Sequence, residues 1–174
     1  MKYAIRIVIV IVVVIVGFFI FVESGVYNIS AMVPHNKLTL WVINAVKDNS
    51  IDHYSKEIKV PNNLNDTSLV RIGFVHYREM CQTCHGAPGI ERSEIGKGLY
   101  PHPPNLAHSA KDMPAQQLFW ITKNGLKLTG MPSFGKTHSD EKIWDIVAFI
   151  EKLPAMTKEQ YQALNNSTKN ESDD

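Results

Sequence analysis

The chain has 174 residues, a hydrophobic content of 44% and a formal net charge of +1 at pH 7. This length allows one ordinary domain plus additional segments. The near-neutral charge excludes a strongly basic nucleic-acid-binding protein and a protein with an acidic tail. The only two cysteines, Cys81 and Cys84, are too close in sequence to staple a large loop, so they indicate chemistry at one place.

The N-terminus carries an unbroken apolar run at residues 7–22, preceded by Lys2 and Arg6. Counted from Tyr3, the run is long enough to cross the roughly 30 Å of membrane hydrocarbon as a helix. We therefore predict that residues 1–23 are a single-pass inner-membrane anchor, with the N-terminus in the cytoplasm and the remainder of the chain in the periplasm. A cleavable signal peptide is the alternative, and it would also export the chain.

Residues 24–66 contain no recognisable catalytic or ligand-binding motif. The spacing of Leu38, Trp41 and the following apolar residues predicts a helix over residues 37–48. The segment is interpreted as a spacer whose helix packs on the next domain, or alternatively as a docking element for a membrane partner.

Helix signals are dense from residue 67 onward, and no strand pattern interrupts them. Thr67 or Ser68 begins a helix that runs to about Cys81, and an amphipathic helix follows the capping residue Ser139. Between these two, a helix is predicted from Pro114 to Gly125, since proline suits a first turn and glycine a C-terminal stop. The predicted fold is therefore all-α, with one main domain over residues 67–156.

The C-terminal part, residues 157–174, is predicted to hold one short helix and a disordered polar tail. Thr157 and Gln160 form a capping-box pattern that begins the helix. The tail, residues 165–174, is polar throughout and offers little apolar surface to bury.

The sequence Cys81-Gln82-Thr83-Cys84-His85 is the attachment signature of c-type haem. Two thiols one helical turn apart match the two vinyl groups along one edge of a porphyrin, and the next histidine is placed to bind the iron. A thioredoxin-like dithiol and half of a zinc site share the C-x-x-C spacing. However, the first needs a strand before the motif and the second needs another clustered ligand pair, and the sequence offers neither.

A second axial ligand is predicted at Met131. It lies in Thr129-Gly130-Met131-Pro132-Ser133-Phe134-Gly135, where glycine and proline can hold a side chain in a rigid loop between two helices. Thioether ligation opposite histidine raises the reduction potential and suits electron transfer. Met113, His102 and His108 remain alternatives, with capping, packing or surface exposure as their more ordinary roles.

Residues 67–153 resemble a class I c-type cytochrome domain. The motifs occur in the family order: Gly73-x-x-x-Tyr77, the C-x-x-C-H sequence, a Pro-Asn-Leu segment, a central helix, G-M-P-x-F-G and a terminal amphipathic helix. The resemblance implies one covalent haem c and a close crossing of the first and last helices. It also implies that Pro104 accepts a hydrogen bond from the imidazole of His85.

Two aromatic residues complete the predicted cofactor site. Phe134 belongs to the G-M-P-x-F-G sequence, and Trp120 lies on the central helix, where it can line the haem or fill the core. The predicted cofactor-binding set is Cys81, Cys84, His85, Pro104, Trp120, Met131 and Phe134, with His85 and Met131 as iron ligands.

These observations predict an electron-transfer protein of a respiratory chain rather than an enzyme. Electron transfer through a haem needs no catalytic acid, base or nucleophile, and no such group of residues stands out in the sequence. Its expected partners are membrane-bound redox proteins and the membrane itself, with no nucleic acid and no small-molecule substrate. One alternative is a fixed cytochrome subunit of an oxidase, reductase or dehydrogenase complex. The other is a haem peroxidase or gas sensor, which requires an open sixth position on the iron.

Overall fold

The structure, a computed structural model, describes residues 1–171. The predicted all-α fold is confirmed, because the described residues contain no β-strand and only one isolated bridge, between Ala87 and Ile90. The helices are α1 (Lys2–Glu23), α2 (Lys37–Ser55), α3 (Thr67–His76), α4 (Gln82–His85), α5 (Glu94–Gly98), α6 (Leu106–Ser109), α7 (Ala115–Asn124), α8 (Asp140–Lys152) and α9 (Lys158–Ser167).

The chain divides into two compact units, Met1–Pro34 and a second unit that begins at His35. The first unit consists of α1 and a short irregular segment. The helix α1 has 22 residues, a mean hydropathy of 3.3 over its most apolar window and no buried residue. Its length, about 33 Å, is sufficient to cross the hydrocarbon of a membrane. A signal sequence near the N-terminus would have the same properties.

The core of the second unit is built around the contact between α3 and α8. The side chains of Ile143, Ile146, Val147 and Phe149 on α8 are fully buried, as is Phe74 on α3. The ring of Phe74 lies edge-on to that of Phe149 at 5.3 Å. Burial of these apolar side chains is the main force that joins the two helices.

A glycine permits the close approach of these two helices. A Cβ atom at Gly73 would overlap the carbonyl group of Asp145, in the backbone of α8. Gly73 weakens its own helix, since glycine in a helix costs about 1 kcal/mol relative to alanine. The close crossing of the first and last helices, which the family resemblance implies, is thus observed between α3 and α8.

Two helices differ from the predicted ones. The helix α2 extends to Ser55, beyond the predicted end at residue 48, because Ile51 and Ser55 are buried on the inner face of its last turns. The first helix of the domain changes to a π-helical turn at Tyr77–Cys81 before α4 begins. No residue type in that turn forbids a regular α-helix, and the change was therefore invisible in the sequence.

The C-terminal segment is more ordered than its polar composition suggested. The predicted capping box forms at Thr157 and Gln160, but α9 then continues to Ser167, and Thr168 is fully buried. The guanidinium groups of Arg71 and Arg78 bind the backbone carbonyls of Ser167 and Thr168, at 2.8 and 3.0 Å. The expectation of disorder over residues 165–171 is therefore wrong, because two arginines supply the contacts that an apolar surface would otherwise provide. Residues 172–174 lie outside the described residues.

The contact at Gly73 predicts that Gly73→Ala destabilises the domain. The added methyl group would meet the backbone of α8 rather than a flexible side chain, and overpacking of this kind costs about 1–3 kcal/mol or more. Urea unfolding of the two holoproteins, followed by circular dichroism, measures the difference.

Gly98→Ala is the matched control, since a Cβ atom at Gly98 would have no neighbouring atom within 4 Å. This substitution should leave the free energy of unfolding unchanged or raise it slightly. Equal effects of the two substitutions would contradict the proposed role of the helix crossing.

Candidate functional site

The two cysteines lie on consecutive turns of the same helical segment. Cys81 ends the π-helical turn and is buried, whereas Cys84 lies in α4 and is half-buried. The helix then stops at Gly86, whose positive φ of 68° is accessible to glycine at little cost. The thiols are thereby held on a short helix that ends directly after His85.

The segment is fixed from within by Tyr77. Its hydroxyl group donates a 2.6 Å hydrogen bond to the carbonyl of Gly86, which lies just past the end of the motif. The Tyr77 side chain is fully buried, and its ring packs on Phe149 at 5.1 Å. Burial strongly raises the pKa of the Tyr77 hydroxyl, so this group remains a neutral donor.

His85 is oriented by a hydrogen bond from its Nδ1 to the carbonyl oxygen of Pro104, at 2.8 Å. A carbonyl oxygen can only accept, so Nδ1 carries the proton and Nε2 is left with the lone pair that binds a metal. Burial lowers the pKa of His85, although the bond to Pro104 raises it. Neutral imidazole is the form that coordinates iron.

A cavity of about 240 Å³ borders the imidazole of His85. Its lining includes the backbone around Gly86, the apolar side chain of Ile90 and the polar side chains of Arg92 and Asn105. Of the three motif residues, His85 lines this cavity and the two cysteines do not.

Two further helices, α5 and α9, contact the segment from Cys81 to His85, which we call the attachment segment. The sequence did not predict either contact. Gly96 of α5 lies against the motif, where a Cβ atom would come within 2.7 Å of the Thr83 carbonyl oxygen. The backbone amide of Ser93 also donates to that carbonyl, at 3.0 Å. On another side, the hydroxyl of Tyr161 in α9 donates a 2.5 Å hydrogen bond to the side chain of Gln82. The sequence signal that could have revealed α5 is Ser93, whose side chain caps the helix.

The loop that contains Met131 is anchored to the C-terminal end of α7. The Met131 backbone accepts from the amide of Leu126 at 3.3 Å, and its own amide donates to the hydroxyl of Thr129 at 3.1 Å. Ser133 donates to the carbonyl of Lys123 at 2.8 Å. A side chain at Gly125 would clash with the backbone of this loop, at 2.7–2.8 Å. Met131 itself is half-buried.

The aromatic residues of α7 have partners that the sequence did not reveal. Phe119 is buried and stacks on Trp144 of α8 at 4.2 Å. Trp120 stacks on Tyr54 of α2, with ring centroids 6.0 Å apart and planes within 11°. The contact with Tyr54 shows that Trp120 faces α2, and its predicted place beside the haem stays a prediction. The same holds for Phe134, which is half-buried and lies edge-on to His138 at 5.6 Å.

The alternatives to Met131 have other contacts. Met113 is partly buried and packs on the apolar core. His102 is exposed and lies edge-on to Tyr100 at 6.1 Å, and His108 is exposed in α6. Core packing thus accounts for Met113, and surface exposure accounts for His102 and His108.

The donor set fits a covalently attached haem. The thiols of Cys81 and Cys84 lie on consecutive helical turns, and the adjacent His85 donates from Nδ1 to Pro104, which leaves its Nε2 for iron. Cys81, Cys84 and His85 would hold the group, which supplies a one-electron redox centre in its iron.

Comparison with known proteins gives one match. The family model described as "Cytochrome C oxidase, cbb3-type, subunit III" matches residues 68–150, which is slightly less than half of the chain. No curated protein and no solved structure matches the chain. The matched region begins in α3 and ends in α8, and it contains every predicted site residue.

The buried hydroxyl of Tyr77 predicts a loss of stability at alkaline pH. A tyrosine in the unfolded chain ionises at about pH 10, whereas the folded-state pKa of Tyr77 is higher. The stabilisation is therefore complete below pH 10 and is lost progressively above it. Tyr77→Phe should unfold about 1–3 kcal/mol more easily at neutral pH, because the Gly86 carbonyl loses its donor.

Urea titrations from about pH 7 to about pH 11 test both effects on the holoprotein. The stability of the Tyr77→Phe variant should fall less steeply above pH 10 than that of the unmodified protein. Parallel profiles of the two proteins would show that Tyr77 does not contribute to the alkaline loss.

Proposed function

The chain carries a class I c-type cytochrome domain at residues 68–150, and from this premise we propose that it is a membrane-anchored carrier of single electrons with one covalent haem c. The domain type implies electron transfer and haem c. The number of haems, the ligands, the anchor and the respiratory partners are our proposal. The observation that carries it is the hydrogen bond between His85 and Pro104, because it prepares the imidazole next to both cysteines for iron.

We assign the covalent attachment to Cys81 and Cys84 and one axial position to His85. Helical spacing puts the two thiols on the same stretch of chain, and three independent contacts hold that stretch in place. A rigid attachment segment suits electron transfer, because little rearrangement is then needed when the charge of the iron changes.

Met131 is proposed as the other axial ligand. Support comes from the hydrogen bonds that fix its loop on α7 and from its partial burial. A thioether ligand favours the reduced iron and raises the reduction potential. If His85 and Met131 both bind the iron, they would close the site to small molecules, which would favour outer-sphere electron transfer over peroxidase activity or gas sensing.

The helix α1 is proposed as the membrane anchor. Lys2 and Arg6 precede its apolar residues, which supports a cytoplasmic N-terminus and a periplasmic cytochrome domain. A tethered carrier is concentrated near other membrane-bound redox proteins, so electron exchange needs no tight complex. Intact-mass measurement of the membrane-extracted holoprotein distinguishes the retained anchor from a cleaved signal peptide.

A second candidate function is that of a fixed subunit in a respiratory complex. The printed description of the matched family, which names a subunit of an oxidase, favours this candidate. Purification in mild detergent separates the two. Stoichiometric co-purifying subunits would support the fixed subunit, and a lone, redox-active chain would support the mobile carrier.

The proposed ligation predicts a specific result for Met131→Ala. Loss of the thioether should lower the reduction potential and allow carbon monoxide to bind the reduced iron. Redox titration and absorbance spectra of the purified holoprotein measure both changes.

Met113→Ala is the matched control, because Met113 is also partly buried but packs on the core. Met113→Ala should preserve the reduction potential and should not allow carbon monoxide to bind. It should lower the free energy of unfolding by at most the roughly 2–5 kcal/mol that a fully buried methionine contributes, since Met113 is only partly buried. An unchanged potential in Met131→Ala would reject the assignment. A high-spin ferric spectrum in the unmodified protein would reject the closed site and favour the peroxidase or sensor hypothesis.

A further inference from the structure

The first half of α2 has an apolar face that the cytochrome domain does not cover. Four large side chains on it are 45–70% exposed. We call this surface the outer α2 face, and it consists of Leu38, Trp41, Val42 and Val46.

Helical geometry puts these four residues together. Trp41, Val42 and Val46 follow Leu38 by three, four and eight positions, so the four side chains form one stripe along about two turns. Farther along the helix the same side becomes polar, with exposed Asp52 and His53. The helix is therefore apolar outward only at its N-terminal end, next to the segment that leads from α1.

The C-terminal half of α2 is held by the cytochrome domain. Gln117 donates to the carboxylate of Asp52 at 2.6 Å, and Tyr54 stacks on Trp120. Ile51 is buried on the inner side. Because these contacts involve the inner side and the far end of the helix, they leave the outer α2 face open while holding its orientation.

Exposed apolar groups also occur in the segment between α1 and α2. Val26, Ile29 and Met32 are 77%, 90% and 92% exposed. No acidic residue occurs from residue 24 to residue 47, where the only lysines are Lys37 and Lys47. Such a stretch offers apolar side chains and positive charge to its surroundings and carries nothing that an anionic lipid headgroup would repel.

The length of the connection limits how far α2 can lie from the end of α1. Thirteen residues, numbers 24–36, separate the two helices. Fully extended, they span at most about 45 Å. If α1 crosses a membrane, the first turns of α2 remain within reach of its surface.

We propose that the outer α2 face inserts into the headgroup region of the lipid bilayer and orients the cytochrome domain on the membrane surface. Trp41 is of the residue type enriched at that depth, where an apolar ring meets a polar boundary. Insertion removes the four apolar side chains from water without requiring another protein. This inference rests on the proposed role of α1 as the anchor.

The test uses the full-length holoprotein in vesicles of phosphatidylcholine and phosphatidylglycerol. Haem attachment occupies both native cysteines, so a nitroxide label can be placed on single variants, Trp41→Cys and Val46→Cys. Asn44→Cys is the matched control, since Asn44 is exposed on the same helix but is polar and lies off the stripe. Each collision rate is taken as the difference between relaxation with and without the reagent, so that the constant contribution of the iron cancels.

Collision of the labels with oxygen and with a water-soluble nickel chelate reports their surroundings, because oxygen concentrates in lipid and the chelate does not. Labels at positions 41 and 46 should collide several-fold more with oxygen and several-fold less with the chelate than the label at position 44. Two separate positions on the stripe keep the test meaningful if one variant folds poorly.

Equal access of the chelate to all three labels would overturn the proposal. If labels 41 and 46 are water-accessible in vesicles but protected in native membranes, the face binds a protein partner instead, and the lipid proposal is also rejected. Failure of the chain to float with the vesicles would reject both the anchor and the insertion. Absorbance spectra and redox titration of the same samples report on the electron-transfer function separately, so its failure is distinguishable.

Discussion

The close crossing of α3 and α8 at Gly73 is the constraint on which the rest of the cytochrome domain depends. Because the glycine lets the two backbones meet, Phe74 and Tyr77 lie in the layer between the helices, where Phe149 covers both rings. The hydroxyl of Tyr77 then reaches the carbonyl of Gly86. The contact between the two helices is thereby linked, through one buried side chain, to the end of the segment that contains Cys81, Cys84 and His85.

Much of this arrangement could be predicted from the sequence, because it depends on residue types with narrow structural roles. The glycine inside a helix required a close neighbour, and Ser139, Gly125 and Thr157 marked helix ends through local hydrogen bonding or positive φ. The attachment motif is equally explicit, since few functions need two cysteines and a histidine at that spacing. Such features are local, and a single sequence contains them in full.

The features that escaped prediction depend on contacts between distant segments. The ordered C-terminus relies on two arginines nearly one hundred positions away, and Trp120 stacks on Tyr54 of a helix that looked like a spacer. The π-helical turn at Tyr77–Cys81 contains no residue type that forbids a regular α-helix, so the local sequence contained no sign of it. Polar composition and apolar spacing predict which residues can be buried, but not which surface will bury them.

The elements outside the matched family region support the two proposed axial ligands from different sides. Through Tyr161, α9 holds Gln82 of the attachment segment. Through Tyr54, α2 packs on α7, the helix whose last turn holds the Met131 loop. The position of Met131 depends on the stability of α7, because its loop is hydrogen-bonded to that helix. Packing of α2 on α7 should therefore stabilise the proposed sulfur ligand in its position. The helix that we propose to rest on the bilayer thus also packs on the helix that holds the Met131 loop. The proposed orientation of the domain and the proposed sulfur ligation would therefore depend on the same element.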